Sequence, residues 1–210
     1  MEFVPFPKIP RLSRPIIITE KIDGTNASIY IFAANEISIE GIHSSHPDAI
    51  FQTTYGLGFG HEFGCCIAAA SRNRWLTLDN DNAGFAKWVK ENSEELFKLG
   101  PGHHFGEWWG KGIQRGYGLA EKRFSLFNVS RWNKENLPAC VDVVPILGED
   151  YCAYGYDNAF IELIMLNLAH VGSIAAPGFM QPEGIVIYHT SGNVLFKKTF
   201  ENDEVGKGNG

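Results

Sequence analysis

The stretch Glu20-Lys21-Ile22-Asp23-Gly24-Thr25-Asn26 decides how the rest of the chain is read. An apolar run with the character of a strand, Ile16 to Thr19, leads into it, and a second, Ala27 to Phe32, leads away. The polar turn Asp23–Gly24–Thr25–Asn26 separates them, and Gly24 is free to supply a positive φ there. Lys21 therefore sits at the end of a rigid element, partly enclosed, which is how a nucleophile must be held. A free lysine, with a pKa of about 10.4, is protonated and unreactive near neutrality. Lowering that value to about 7–8 costs the ammonium form roughly 3–5 kcal/mol. Burial or a nearby divalent cation does this, whereas Asp23 alone pushes the other way, so Asp23 fits a metal, water or orienting ligand better. On its own, so short a Lys-x-Asp-Gly pattern reads better as an ion pair in a turn than as a nucleophile.

Working outward, Glu36 to Ile42 alternates apolar positions and is expected to be a third strand, while His43 to Gly64 shows no period and is expected to be a long loop or insertion. A helix is expected after Asp81 or Asn82, with Phe85, Trp88, Val89 and Leu96 on one face and Gly100–Pro101 ending it. Short strands are expected at His104 to Trp108 and Phe124 to Val129. Asn158 to Ala169 is apolar nearly all round, which predicts a helix buried on more than one side. Gly184 to Tyr188 and Val194 to Lys198 form a hairpin about Ser191–Gly192–Asn193. Strands outnumber helices without a βαβ rhythm, so the expected class is α+β with antiparallel sheets.

The chain has 210 residues, with 18 Lys and Arg against 24 Asp and Glu, for a net charge of −6. A protein that coats nucleic acid non-specifically carries a basic excess. Contact with nucleic acid must here come from a local basic patch, for which Lys8, Arg11, Arg14, Arg72, Arg74, Lys111, Arg115, Lys122 and Arg123 are the candidates. Cys65, Cys66, Cys140 and Cys152 form no Cys-x-x-Cys pair, and the histidines lack ligand spacing with them, so no structural zinc is expected. His103 and His104, as neighbours on a strand, point to opposite faces. No apolar run is long enough to span a bilayer and no signal peptide is evident, so the expectation is a cytoplasmic protein with free thiols and no membrane partner.

Further motifs follow the Lys21 segment in order: SRNR at Ser71 to Arg74, FGEWWGKGIQRGY at Phe105 to Tyr117, KRFSLFNV at Lys122 to Val129, PEGIVI at Pro182 to Ile187 and LFKKT at Leu195 to Thr199. This series resembles the covalent nucleotidyltransferase superfamily of ATP-dependent ligases and capping enzymes, and within it the phage-type RNA ligases that seal nicks. The resemblance implies two antiparallel sheets flanked by helices with the nucleotide site between them, and a lysyl–AMP formed on Lys21. It implies an ATP-binding set of Glu20, Lys21, Asn26, Arg72, Glu107, Phe124, Glu183 and Lys197. Glu20 reads the adenine through its backbone, Arg72 contacts the ribose or acceptor phosphate, Glu107 accepts from a ribose hydroxyl, and Phe124 stacks on the base. Glu183, with Asp23, holds Mg²⁺ or Mn²⁺, and Lys197 neutralises the α-phosphate.

Taken singly, Phe124 and Phe127 read as core residues, Glu183 as a turn carboxylate and Lys197 as a solvent-facing lysine. One of Trp108 and Trp109 is expected to be packed and the other to line the site. The gap between Lys21 and Arg72 is longer than the family pattern, which leaves Arg74 as a competitor. Lys197 and Lys198 are adjacent, so only one can enter a site. The expected organisation is an adenylation domain over 1–200 and a flexible tail over 201–210, with no appended C-terminal domain and an accessory protein taking its place. The rival readings are a DNA ligase, a GTP-dependent capping-type transferase and a non-catalytic nucleotide- or RNA-binding module of the same fold.

Overall fold

The computed structural model describes residues 3–33, 49–57, 61–150, 157–201 and 203. The chain divides into two compact units, Met1–Ile22 with Val144–Gly210, and Asp23–Val143. The architecture is mixed α+β, built on two sheets that are antiparallel but for one strand pair.

The first unit is a four-stranded sheet in the order β11-β10-β1-β9. Its strands are β1 (Ile16–Lys21), β9 (Ile146–Asp150), β10 (Gly184–His189) and β11 (Val194–Thr199). The helix α3 (Asn158–Val171) lies on one face, capped by the Asp157 carboxylate, which accepts from the Ala159 N–H at 2.9 Å. Ile16 and Ile18 of β1, Ile185 and Ile187 of β10, and Ile161, Ile164, Met165 and Leu168 of α3 make the core. The apolar girdle of α3 predicted burial on more than one side. Instead Leu163 and Leu166 are 61% and 69% exposed, so the helix is buried on one side only.

Strand alternation then sets the chemistry of β1. Ile16, Ile18 and Glu20 face α3, while Ile17, Thr19 and Lys21 face away. Glu20 is 1% exposed, a carboxylate in the layer of the apolar core. It is satisfied by the turn after α3: Ser173 Oγ donates to Oε1, and the Ile174 and Ala175 N–H groups donate to Oε2 at 2.8 and 2.9 Å.

The second unit holds the larger sheet, in the order β3-β4-β2-β6-β7-β8, with β5 beside β4. Its strands are β2 (Thr25–Ala33), β3 (Ala49–Leu57), β4 (His61–Ser71), β5 (Trp75–Leu76), β6 (Gly102–Gly110), β7 (Lys122–Leu126) and β8 (Asp142–Val143). The helices α1 (Phe85–Glu91) and α2 (Ser93–Leu96) and a 3₁₀ turn, Phe97–Leu99, replace the single expected helix. Asn92 makes the break, its side-chain amide donating to Trp88 O. The N-cap position is taken by Gly84 and not by Asp81 or Asn82, but the Asp81 carboxylate reaches the first turn and accepts from the Ala86 and Lys87 N–H groups. Ala27, Ile29, Trp108 and Phe124 pack against Phe85 and Val89 in this unit's core.

The stretch 43–64, expected as a loop, contributes instead to the antiparallel pair β3 and β4. Glycine, histidine and threonine interrupt its alternation, so pairing, not local pattern, makes it a sheet. The strand expected at Glu36 to Ile42 lies outside the described residues, as does most of the tail expected over 201–210. Among the described residues no helix is long and apolar enough to cross a membrane.

Burial raises the Glu20 pKa above its usual 4.5, against the three hydrogen bonds that lower it. The folded chain then holds this proton more tightly than the unfolded chain. The group's contribution to stability is full below 4.5 and is lost as pH rises through the raised value. Urea unfolding across that window is expected to show this decline in the wild type and not in Glu20→Gln. Glu20→Ala orphans three donors and is expected to cost about 2–4 kcal/mol at all pH values above it.

Candidate active site

In the first unit, Lys21 closes β1 opposite Gly184 of β10. Its Nζ lies 2.6 Å from Glu183 Oε2, and the two side chains are 22% and 13% exposed. The pair is thus reachable from solvent yet held at a strand end. The Glu20 backbone N–H is spent on Pro145 O at 2.9 Å.

The register also separates the two lysines of β11. Lys198 pairs across β10 with the buried Ile185, on the α3 face, where its Nζ bridges Glu162 at 3.3 Å and Asp203 at 4.0 Å. Lys197 pairs with Val186, which pairs with Thr19, so it shares the opposite face with Lys21. It is exposed and makes no ion pair among the described residues.

In the second unit, a glycine-rich loop between β6 and β7 clasps the turn at Asp23. Arg115 Nε donates to Asp23 Oδ2 at 3.0 Å, and the Asp23 N–H donates to Tyr117 Oη at 2.7 Å. Tyr117 takes a left-handed φ of 53° between Gly116 and Gly118, and its buried ring packs edge-on to Trp109. From sequence Arg115 was expected only as one cation of a basic patch, and it is instead paired with Asp23; Tyr117 was assigned no role. The Gly-Tyr-Gly triplet was the available signal for a strained, aimed aromatic.

Gly24 corrects its expectation. It does not carry a positive φ. It is glycine because a Cβ there would lie 2.5 Å from Trp108 O and 2.7 Å from Trp109 Cβ. The close approach lets its N–H donate to Glu107 Oε1 at 3.1 Å. Asn26 and Glu107 are cross-strand neighbours, and Ser125 continues their row on β7.

Phe124 is also corrected. It lies opposite Trp108, on the other face of the sheet from Glu107, with no exposure and with Phe85 and Trp88 at 5.1 and 5.9 Å. The ring is wholly buried in the core and presents no surface to a base. Trp108 and Trp109 point to opposite faces as expected of neighbours, but both are packed, at 2% and 1% exposure. Arg74 is tied to the backbone, donating to the carbonyls of Trp75, Asn80 and Asp81. Arg72 is exposed, with no hydrogen bond of its side chain among the described residues. Of the other candidate cations, Lys122 is drawn to Ala83 O and Arg123 to Glu121.

For a divalent cation the donors are carboxylate oxygens, which suit Mg²⁺ or Mn²⁺. Glu183 faces Lys21 and Asp23 faces Arg115; no cluster of three or more His, Cys, Asp or Glu exists among the described residues. A cation bound by one carboxylate and completed by phosphate oxygens and water fits Glu183.

The sequence model of the RNA ligase family matches residues 14–202. No curated protein sequence matches the chain. Among solved structures it is similar to a lysine-to-alanine variant of Naegleria gruberi RNA ligase with ATP and Mn, at TM-score 0.51 and 20% identity, over 89% of this chain and 49% of that one. A glutamate-to-alanine variant of the same ligase with ATP and Mn gives TM-score 0.51 and 18% identity, over 90% of this chain and 51% of that one. The chain spans about half the length of these proteins, and at such identity the likeness is one of fold.

Two substitutions check the corrected geometry. Phe124→Ala is expected to cost about 3–5 kcal/mol in denaturant unfolding, as a core truncation, and the exposed Phe127→Ala less than about 1 kcal/mol. Gly24→Ala, forced against the Trp108 carbonyl, is expected to lower the melting temperature although alanine is the better residue at an ordinary negative φ.

Proposed function

The chain belongs to the RNA ligase family, and from that membership we propose that it is an ATP-dependent RNA ligase using Lys21 as its nucleophile. The observation that carries the reading is the pairing of Lys21 Nζ with Glu183 at a strand end, with Lys197 on the same sheet face. Lys21 Nζ attacks the α-phosphorus of ATP. A P–N bond forms, the bond to pyrophosphate breaks, and the amine gives up its proton. A 5′-phosphate oxygen of the polynucleotide then displaces lysine from the phosphorus. Finally a 3′-hydroxyl attacks that 5′-phosphate and AMP leaves.

Lys197 is a compact point charge suited to the α-phosphate as pyrophosphate departs. Asn26, Glu107 and Arg72 are the polar groups assigned to the nucleoside and its phosphates. A divalent cation held by Glu183 would supply charge neutralisation around the triphosphate. Asp23, tied to Arg115, orients the turn that follows Lys21. Glu20 contributes by fixing β1, so that Lys21 projects from the opposite side of the strand. Residues 1–200 form the adenylation domain on this reading. Polynucleotide contact draws on exposed cations such as Arg72 and Lys111, or on an accessory protein.

The test is labelling with radioactive ATP and Mg²⁺ or Mn²⁺, followed by denaturation. Wild-type protein is expected to retain label and Lys21→Ala none. Lys197→Ala is expected to lose about 10²–10³-fold in rate, the scale for removing one preorganised charge contact, and Lys198→Ala to label normally. No label on the wild type, or label persisting in Lys21→Ala, overturns the proposal. Label from GTP and not ATP would assign the chemistry to capping. Nicked duplexes with RNA or DNA at the 3′-hydroxyl then decide the strand.

A further inference from the structure

The large sheet turns two different faces outward from its plane. One packs Ile29, Trp108 and Phe124 against α1. The other carries a cross-strand row that runs Trp75–Ala70–Ser28–Phe105 over β5, β4, β2 and β6 and continues to Phe127, whose N–H bonds Phe105 O. In that row Trp75, Phe105 and Phe127 are 42%, 50% and 39% exposed. The next row supplies Tyr30 and His103. The rings touch in sequence: Trp75 to Tyr30 at 5.8 Å, Tyr30 to His103 at 4.6 Å and His103 to Phe105 at 3.9 Å. Four strands and Phe127 beside them, at about 4.8 Å spacing, make this surface roughly 19 Å across.

We propose that this aromatic face is a stacking platform for unpaired bases of a single-stranded RNA segment. The choice of RNA rests on the family reading above. The choice of bases over phosphates comes from the charge of the surface. The chain carries −6 overall, yet from Ser28 to Phe32 and across to their described partners on β4 and β6 there is no acidic side chain. That stretch has no lysine or arginine either, so the rings of Tyr30, His103 and Phe105 offer π faces without charge among themselves. Burial lowers the His103 pKa below its usual 6.5, which keeps that ring neutral at pH 7. Its Nε2 is 3.0 Å from Ser28 Oγ, which fixes the ring plane.

Rings held by one another lose little conformational freedom on binding. Aromatic side chains on an open sheet face stack bases without reading sequence. The row also adjoins the Asn26–Glu107–Ser125 row, two residues along each strand. An RNA end brought to those polar groups would therefore meet the platform with the nucleotides next to it. An acidic protein gains polynucleotide affinity in this way without a cationic groove.

The test is fluorescence anisotropy of a labelled, 5′-phosphorylated ten-nucleotide RNA, single-stranded or as a blunt duplex, without divalent cation. The single strand is expected to bind more tightly than the duplex, with a shallow dependence on salt. Phe105→Ala and Trp75→Ala are each expected to weaken it about five- to 150-fold, the range for one stacked base. Phe105→Leu, which keeps apolar bulk but loses the π face, is expected to weaken it as well. ATP labelling of Lys21 is expected to stay at the wild-type level in all three variants. Equal RNA affinity in wild type and variants overturns the platform, as does preference for the duplex or loss of labelling in the variants. Self-association abolished by Phe105→Ala, with RNA affinity unchanged, would make the surface a contact between copies and also overturns it. Failure of the wild type to label with ATP sinks the ligase reading instead.

Discussion

A buried carboxylate governs how this protein presents Lys21. Glu20 stands in the layer of Ile16 and Ile18, where an unpaired charge would cost several kcal/mol, and the turn at 173–175 meets it with three donors. That arrangement fixes the parity of β1. With Glu20 anchored toward α3, Lys21 has to leave on the other side of the sheet, where Glu183 and Lys197 also are. A slip of one residue would bury the lysine and expose the acid, and the donors at 173–175 would be left unsatisfied.

The second unit uses sterics where the first uses charge. Gly24 lies against the β6 backbone because nothing larger fits, and the contact brings its N–H to Glu107. Arg115 and Tyr117 then hold Asp23 from a loop whose left-handed backbone is supplied by glycines on either side. Both devices are positional. Both remove freedom from the turn at Asp23–Gly24.

Much of this was legible in the sequence, and the boundary between what was and was not is physical. The strands β1, β2, β10 and β11 announce themselves because apolar residues alternate or run between turn residues. The helix α3 was legible in extent but not in burial, since Leu163 and Leu166 look like core residues and are exposed. The β3–β4 pair was missed because its stability lies in pairing between strands that lack a clean pattern of their own. Phe124 was placed in the site because the motif contains it. Which side of β7 it faces is set by its pairing with Trp108, and that depends on register. The partners of Glu20 and Asp23 are 153 and 92 residues away, beyond any local reading.

The two neighbouring lysines of β11 show what such parity implies. Lys198 braces the strand against α3 through Glu162, while Lys197 is left on the open side. Chemically they are the same residue; the Ser191–Gly192–Asn193 bend, by its length, decides which braces the helix and which shares a face with Lys21. One residue added to or taken from that bend would exchange their occupations without altering either side chain. The face each lysine takes on this strand is therefore stored in a count of backbone units, so aligning lysine with lysine across relatives is meaningful only where that count is the same.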